Sequence, residues 1–182
     1  MKPKAIFIDR DGTLVEEVNY LHQASETLLI PGVAGAVAQL KNAGYLLIVV
    51  TNQSGIGRGI YTVDEMHSVH DEVQRLLDGA IDGFYYCPHL PCDGCDCRKP
   101  GLKMIRDAVD RFGIDLEGSW MVGDKSIDVE TGHAAGIQSA LVLTGYGREH
   151  VAGLDVAPTV VADDFGAVAV EILRLSSAEI VT

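Results

Sequence analysis

Two aspartates follow a short apolar run near the start of the chain, and their type and spacing could do chemistry. Residues 5–8 are apolar, with β-branched and aromatic side chains and no polar alternation, which predicts a strand buried on both faces in a parallel sheet. Residues two apart in an extended chain point the same way, so Asp9 and Asp11 can share one target while Arg10 turns aside. Gly12 then permits a tight turn. Because the two carboxylates repel each other unless a cation lies between them, we expect Mg²⁺ here, although an ordinary capped Asp-Gly turn remains open.

Polar residues also follow two other predicted strands. The strand 45–50 leads into Thr51 and Asn52, where a hydroxyl and backbone amides could hold a phosphate, and the strand 119–122 leads into Asp124. Taken alone, each exit could be an ordinary strand-to-helix loop. Ligands of open α/β sheets bind outside the carboxyl ends of the strands, so three polar exits predict one shared site.

A cluster of soft ligands lies in the middle of the chain. Four cysteines and one histidine fall within eleven residues: Cys87, His89, Cys92, Cys95 and Cys97. This spacing is typical of a metal site in a reducing compartment rather than of disulfides. The set Cys87, His89, Cys95 and Cys97 could hold a tetrahedral Zn²⁺, and a set that uses Cys92 remains open. With four protein ligands the site would be closed and structural, and it would stiffen the loop 87–100.

Two cations follow the last cysteine directly. Arg98 can bind a phosphate with two parallel hydrogen bonds, and Lys99 can act as a point charge. A stiff metal loop would fix both against the acidic site. The alternative, solvated surface charge, is weakened because the chain has only 14 basic residues against 26 acidic ones.

Composition limits the class of protein. The chain has 182 residues, 47% of them hydrophobic, and a formal charge of −12. We expect one domain over residues 1–182, and the charge opposes binding to nucleic acid or to an anionic membrane. The longest apolar stretches are too short to span a bilayer, and no secretory segment is recognised at the N-terminus. We therefore expect a cytoplasmic monomer.

The remaining pattern predicts an α/β fold with a mostly parallel, Rossmann-like sheet and helices on both faces. Residues 14–30 lack a sustained period and predict an irregular flap over Asp9. A capping box at 62–65 opens a helix to about residue 78, on which His67 and His70 are expected at the surface. Further helices are predicted over residues 33–43 and 102–112, and another follows Asp128 and ends at residue 135. A terminal helix is predicted to begin after Asp163 or Asp164 as its N-cap. Further strands are predicted at 83–87, 139–143 and 159–162, with a loop at 144–148.

With these residues in place, the chain resembles the haloacid dehalogenase (HAD) superfamily of aspartate-nucleophile phosphohydrolases over nearly its whole length. Residues 9–13 match the first motif, Thr51 and Asn52 the second, Lys99 the third and residues 123–128 the fourth. The Cys-Pro-His and Cys-Asp-Cys-Arg-Lys-Pro elements resemble the subgroup of heptose 1,7-bisphosphate phosphatases and the related histidinol-phosphate phosphatases. The extra Cys92 and the short zinc loop depart from that pattern.

The resemblance implies a role in the reaction for each of these residues. Asp9 would be the nucleophile, and Asp11 the general acid and base. Mg²⁺ would be held by Asp9, the Asp11 backbone carbonyl and Asp124. Thr51 and Lys99 would stabilise the transferring oxygens, and Asp128 would support the ligands rather than be one. Substrate contacts are expected from Asn19, Tyr20, Asn52, Arg98 and Lys125.

The expected reaction is Mg²⁺-dependent hydrolysis of the C7 phosphate of D-glycero-D-manno-heptose 1,7-bisphosphate, a small phosphorylated sugar used for lipopolysaccharide heptose precursors. No insertion is long enough for a large cap domain, so the flap and the zinc loop would enclose the substrate. Hydrolysis of histidinol phosphate in histidine biosynthesis is the nearest alternative. A zinc-stabilised binding module without catalysis is the alternative from another class.

Overall fold

A single parallel sheet organises the computed structural model, which describes residues 2–179. Its strands are β1 (Lys4–Ile8), β2 (Leu46–Asn52), β3 (Gly83–Cys87), β4 (Asp115–Gly123), β5 (Gln138–Val142) and β6 (Val160–Ala162). Their order is β3-β2-β1-β4-β5-β6, and every neighbouring pair is parallel. The order reverses between β1 and β4, which is where doubly wound sheets open a crevice for ligands.

Helices cover both faces of this sheet. They are α1 (Val33–Asn42), α2 (Ser54–Gly57), α3 (Val63–Leu76), α4 (Lys103–Phe112), α5 (Ser126–Ala134), α6 (Gly147–His150) and α7 (Phe165–Glu179). Because side chains alternate along a strand, Ile6 and Ile8 of β1 pack with residues of α1, α3 and α7, whereas Ala5 and Phe7 pack with α4. The α/β fold with helices on both faces is therefore confirmed.

Several element bounds differ from the sequence-based expectations. Thr51 and Asn52 lie inside β2 because they pair with Tyr86 and Cys87 of β3, so parallel pairing outweighs their polar character. Strand β4 begins at Asp115 rather than at residue 119, since Asp115 pairs with Lys4 before a local irregularity. The short helices α2 and α6 fall in segments expected to be loops.

The prediction that His70 lies at the surface is wrong. His70 shares the buried stripe of α3 with Met66, Val69 and Val73, a helical spacing that places it inside. Its ring stacks on Phe84, with centroids 4.6 Å apart. Burial lowers the pKa of His70 to about 3, so the ring is neutral at physiological pH. His67, in contrast, is exposed, as expected.

Within residues 2–179, the two long connections are those from β1 to α1 and from β3 to α4. The flap at 14–30 is largely irregular, with a single 3₁₀ turn at Ala24–Glu26 and isolated bridges from Val15 to Asp11 and to Leu29. No inserted cap domain is present among these residues. At the start of α7, Asp164 Oδ1 accepts a hydrogen bond of 2.8 Å from the Ala167 amide, which confirms Asp164 as an N-cap. None of the helices between residues 2 and 179 is long and apolar enough to cross a membrane.

Candidate active site

Three buried carboxylates meet at the carboxyl ends of the two central strands. Asp9 follows β1, Asp124 follows β4, and Asp128 lies in the first turn of α5. One oxygen from each lies within 4.8 Å of the others. The strands place them together because β1 and β4 are neighbours in the middle of the sheet. Three anions this close require positive charge nearby.

Lys99 supplies part of that charge. Its Nζ lies 2.6 Å from Asp128 Oδ1 and 3.0 Å from Asp9 Oδ1, and the side chain is only 2% exposed. Burial alone would lower the pKa of Lys99, but attraction to Asp128 and Asp9 outweighs burial and raises it. Burial likewise opposes ionisation of Asp9, yet Lys99 and Lys125 hold the Asp9 pKa below its usual range. Lys99 and Asp9 are therefore a charged pair at neutral pH.

One oxygen of Asp124 has no hydrogen-bond partner. Oδ2 accepts a hydrogen bond of 2.8 Å from the Tyr146 amide, whereas Oδ1 is buried and accepts none, with Lys125 Nζ 3.9 Å away. Burial and the nearby charge of Asp9 raise the pKa of Asp124 to about 7. Two glycines in left-handed conformations make room for this carboxylate, since a Cβ on Gly12 or on Gly145 would lie 2.3 Å from Oδ2.

These features suit a hard divalent cation such as Mg²⁺, which prefers carboxylate oxygens. Asp124 offers one carboxylate oxygen to the cluster that also contains Asp9, and both groups are buried. Asp128 is committed elsewhere, because Lys99 donates to its Oδ1 and the Lys125 amide donates to its Oδ2. The side chains of Asp9 and Asp124 are thus the better placed pair for the ion.

Arg10 does not turn aside, contrary to the expectation from the sequence. Its guanidinium is fully buried and donates to both oxygens of Asp11, from Nε over 3.1 Å and from Nη2 over 3.0 Å. Gln53 Nε2 also donates to Asp11, over 2.9 Å. Arg10 and Gln53 thereby hold the Asp11 carboxylate in place. A planar guanidinium can donate two parallel hydrogen bonds to a carboxylate, and this geometry fixes the direction of the carboxylate.

Gln53 and Tyr61 were not among the expected site residues. Gln53 is 3% exposed and bonds to Asp11, Thr51, Arg10 and Tyr61. The sequence could have indicated Gln53 as a site residue. Gln53 lies two residues after Thr51 at the end of a strand, and residues two apart in an extended chain point the same way. Tyr61 has no such local signal.

The end of β2 also connects to the Lys99 loop. Asn52 Oδ1 accepts a hydrogen bond of 3.0 Å from the Lys99 amide, and Asn52 Nδ2 donates to the Lys99 carbonyl over 3.4 Å. Asn52 therefore braces the backbone that carries Lys99. Thr51 is buried beside it, and its Oγ1 accepts from Gln53.

Four soft ligands converge in the loop after β3. The Sγ atoms of Cys87, Cys95 and Cys97 lie 3.2–3.6 Å apart, and His89 Nδ1 lies 3.1 Å from Cys97 Sγ. Such a group can surround one tetrahedral Zn²⁺. Cys92 lies outside this group: it is exposed, and its Sγ is 3.9 Å from Asp93 Oδ1.

The loop leads into a cleft of about 380 Å³ lined by Leu90, Arg98, Lys99 and Ile127, among other residues. Arg98 is partly exposed there, and its Nη1 donates to the His89 carbonyl over 3.4 Å. The metal-ligand loop and the Arg98 side chain are thus in direct contact. A cation at this position can meet an anionic group of a ligand that enters the cleft.

The flap meets the site through Lys125. Its Nζ lies 3.3 Å from Glu17 Oε2 and 4.8 Å from the ring centroid of Tyr146. Of the expected flap contacts, Asn19 is exposed and Tyr20 is partly exposed with a φ of 58°, a left-handed conformation. The structure thus brings Lys125 to the carboxylate cluster and leaves Asn19 facing solvent.

The chain is similar in sequence to known hydrolases. A family model described as HAD-hydrolase-like matches residues 96–168. The chain is 38% identical over 174 residues to the D-glycero-beta-D-manno-heptose-1,7-bisphosphate 7-phosphatase of Pseudomonas putida, covering 93% of this chain and 99% of that protein. The enzyme of the same name from Pseudomonas aeruginosa is 37% identical, with 96% and 100% coverage.

Solved structures resemble the whole fold. The crystal structure of D,D-heptose 1,7-bisphosphate phosphatase from B. bronchiseptica, complexed with magnesium and phosphate, matches with a TM-score of 0.87 and 37% identity, over 94% of this chain and 98% of that one. A HAD-like phosphatase from Mesorhizobium loti matches with a TM-score of 0.78 and 30% identity, over 96% and 88% of the two chains.

Proposed function

The chain belongs to the D-glycero-beta-D-manno-heptose-1,7-bisphosphate 7-phosphatase family of HAD-type hydrolases, and from this premise we propose that it removes the C7 phosphate of that sugar bisphosphate. The observation that carries the proposal is the charged pair of Asp9 and Lys99 beside Asp124, in which Lys99 also lines the cleft that contains Arg98. This arrangement supplies a nucleophile, a metal site and two cations to one phosphate ester.

In the proposed reaction, an Asp9 oxygen attacks phosphorus, the bond from phosphorus to the C7 oxygen breaks, and an aspartyl-phosphate forms. Water then attacks phosphorus, releasing phosphate and the Asp9 carboxylate. Lys99 and the Thr51 hydroxyl stabilise the transferring oxygens. Mg²⁺ held by Asp9, Asp124 and the Asp11 backbone carbonyl would screen repulsion between the anionic nucleophile and the anionic ester.

Asp11 moves the protons in this scheme. As an acid, its carboxyl protonates the leaving C7 oxygen, and as a base it takes a proton from the attacking water. Its side chain is partly exposed, at 16%, so it can reach a substrate atom while Arg10 and Gln53 hold it.

Substrate recognition is proposed for the groups around this centre. Arg98 lies in the cleft beyond Lys99, at a position suited to the second phosphate of a bisphosphate. Lys125 at the flap, together with Asn19 and Tyr20, would contact the sugar. Asn52 would act here through the Lys99 backbone that it braces.

A structural Zn²⁺ is proposed for Cys87, His89, Cys95 and Cys97, whose ligand atoms converge without Cys92. Thiolate ligands persist in a reducing compartment, which supports action in the cytoplasm. The chain would act as a monomer and as one domain over residues 1–182, and the single sheet that carries Asp9, Thr51 and Asp124 supports the single domain.

The proposal is tested by comparing kcat/KM for the β and α anomers of the heptose bisphosphate and for histidinol phosphate, with Mg²⁺ present. We expect the β anomer to be the best substrate and ³¹P NMR to show loss of the C7 phosphate alone. Asp9→Asn should abolish turnover. A large preference for histidinol phosphate would refute the substrate assignment, and an inert wild-type protein with bound zinc would support a binding module instead.

A further inference from the structure

The side-chain amide of Gln53 is fully used inside the protein. Nε2 donates to Asp11 Oδ2 over 2.9 Å and to Thr51 Oγ1 over 2.9 Å, while Oε1 accepts from Arg10 Nη2 over 3.1 Å and from the Tyr61 hydroxyl. An amide has two N–H donors and two lone pairs, so no capacity is left over. Gln53 is buried, and no water is needed to complete the set.

Only one orientation of this amide satisfies its neighbours. If the amide were flipped, its oxygen would face the Asp11 carboxylate and its NH₂ group would face the Arg10 guanidinium. Both contacts would be repulsive, and burial makes an unsatisfied polar group costly. Arg10 and Gln53 therefore hold each other, and together they aim the carboxylate of Asp11.

The other side of the network is held from the flap. The Tyr61 ring stacks on His22, with centroids 5.6 Å apart and planes within 2°. Gly55 leaves the space for that ring, because a Cβ there would lie 2.1 Å from Tyr61 Cε1. The hydroxyl that Tyr61 directs at Gln53 is thus held in place by packing on two sides.

We propose that Gln53 is a positioning residue for the reaction, fixing the direction of the Asp11 carboxyl that protonates the leaving group. The inference rests on the proposed function, in which Asp11 is the acid. Gln53 is buried and its amide is fully bonded within the protein, so it acts through the side chains it holds, Thr51 as well as Asp11. The part that acts through Asp11 should depend on how much the leaving group needs a proton.

This dependence supplies the test. A sugar alkoxide is a poor leaving group that needs protonation, whereas p-nitrophenolate leaves without it. Since kcat/KM reports steps up to formation of the aspartyl-phosphate, we compare kcat/KM for the heptose bisphosphate with kcat/KM for p-nitrophenyl phosphate. In Gln53→Met, which keeps the side-chain length and removes the amide, the ratio of sugar to aryl ester should fall at least about tenfold. Asp11→Asn removes the acid itself and should therefore give the largest fall in that ratio.

A matched control is available in α3. Gln74 also uses its amide on both sides, accepting from the Ile81 amide and donating to the Ile81 carbonyl, away from the carboxylate cluster. Gln74→Met should leave the ratio unchanged. Tyr61→Phe, which keeps the ring and removes one donor to Gln53, should lower the ratio by a smaller factor than Gln53→Met.

If a variant loses the same factor in kcat/KM on both esters, the loss comes from Thr51 or from a general disturbance of the structure. Such a loss cancels in the ratio. The proposal is overturned if Gln53→Met and Tyr61→Phe both keep the wild-type ratio. Should the wild-type protein favour another alkyl phosphate, the substrate assignment fails while the Gln53 ratio is measured on that ester.

Discussion

The Lys99 ammonium lies 2.6 Å from the Asp128 carboxylate, and both side chains are almost entirely buried. This ion pair fixes Lys99 in place, and Lys99 in turn lies 3.0 Å from Asp9. Because Lys99 comes from the loop after the soft-ligand cluster and Asp128 from α5, the pair ties two separate parts of the chain at the site.

The first prediction removes the charge of Asp128. Asp128→Asn leaves Lys99 with Asp9 as its remaining anionic partner, so Lys99 loses part of its orientation and we expect kcat to fall. Because burial raises the pKa of Asp128 to about 6, its charge opposes folding at pH 7.5, and the free energy of unfolding should not fall. Urea unfolding and steady-state kinetics measure both effects. The matched control is Asp107→Asn in the exposed Lys103–Asp107 pair, which should change neither.

The second prediction concerns pH in Mg²⁺-free buffer. Burial and Asp9 raise the pKa of Asp124 to about 7, above its ordinary value of 3.8. The native state therefore binds this proton more tightly, so the stabilisation is full below about pH 4 and is lost as pH rises through 7. Burial gives Asp128 a shift of the same sign, to about 6, whereas Asp9, with a lowered pKa, contributes no change above pH 4.

His70 acts in the opposite direction below its ordinary pKa of 6.5, because burial lowers its pKa to about 3. Since two carboxyls release protons against one histidine, the free energy of unfolding should still fall between pH 5 and 7.5, with a net slope below about 1.4 kcal/mol per pH unit. Asp124→Asn should remove most of the Asp124 share. Mg²⁺ affinity should weaken as pH drops below 7, because protons compete for the same oxygen. A flat stability profile in the wild-type protein would contradict this account of Asp124.

The third prediction uses the glycines around Asp124. Gly145→Ala would place a Cβ 2.3 Å from Asp124 Oδ2 and 2.7 Å from the Gly12 Cα, so the carboxylate must move. We expect at least a tenfold loss of kcat/KM, on the order expected when a catalytic group is misplaced. Gly136→Ala is the control, because Gly136 also has a positive φ but a Cβ there meets nothing within 4 Å. That control should lose about 1 kcal/mol of stability and keep its activity.

The fourth prediction links the soft-ligand loop to activity. Cys95→Ser should lower the zinc content and the activity together, since Arg98 and Lys99 lose the support of a stiff loop. Cys92→Ser should change neither, because Cys92 lies outside the converging group. Mass spectrometry of the metal content and phosphate-release assays measure both. Full activity in a zinc-free Cys95→Ser protein would refute the link.

The strands could be predicted from the sequence because each contains a short apolar run, and β1, β2 and β4 lead into polar residues at their carboxyl ends. That pattern located Asp9, Thr51 and Asp124, since parallel strands end at one edge of the sheet. The tight spacing of four cysteines likewise predicts a site for one metal ion. Local patterns suffice for such features because the chemistry lies in consecutive residues.

Features that depend on pairing between distant residues could not be predicted. The sequence predicts that Arg10 turns aside from the two acids, but its guanidinium is buried and donates to Asp11 and to Gln53, which is 43 residues away. The order of the strands and the reach of Tyr61 to Gln53 are likewise set by tertiary packing. His70 shows the opposite case. Its spacing from Met66, Val69 and Val73 in α3 predicts a buried side chain, but the polarity of histidine favours the surface, and the surface was wrongly expected.

The most direct measurement traps the covalent intermediate on Asp9. Wild-type protein with Mg²⁺ is mixed with excess heptose bisphosphate, acid-quenched within milliseconds and reduced with borohydride, which converts an aspartyl-phosphate to homoserine. Peptide mass spectrometry should find homoserine at position 9, and Asp9→Asn should show none and no turnover. Homoserine at another aspartate, or undiminished turnover in Asp9→Asn, would contradict the assignment of Asp9 as nucleophile.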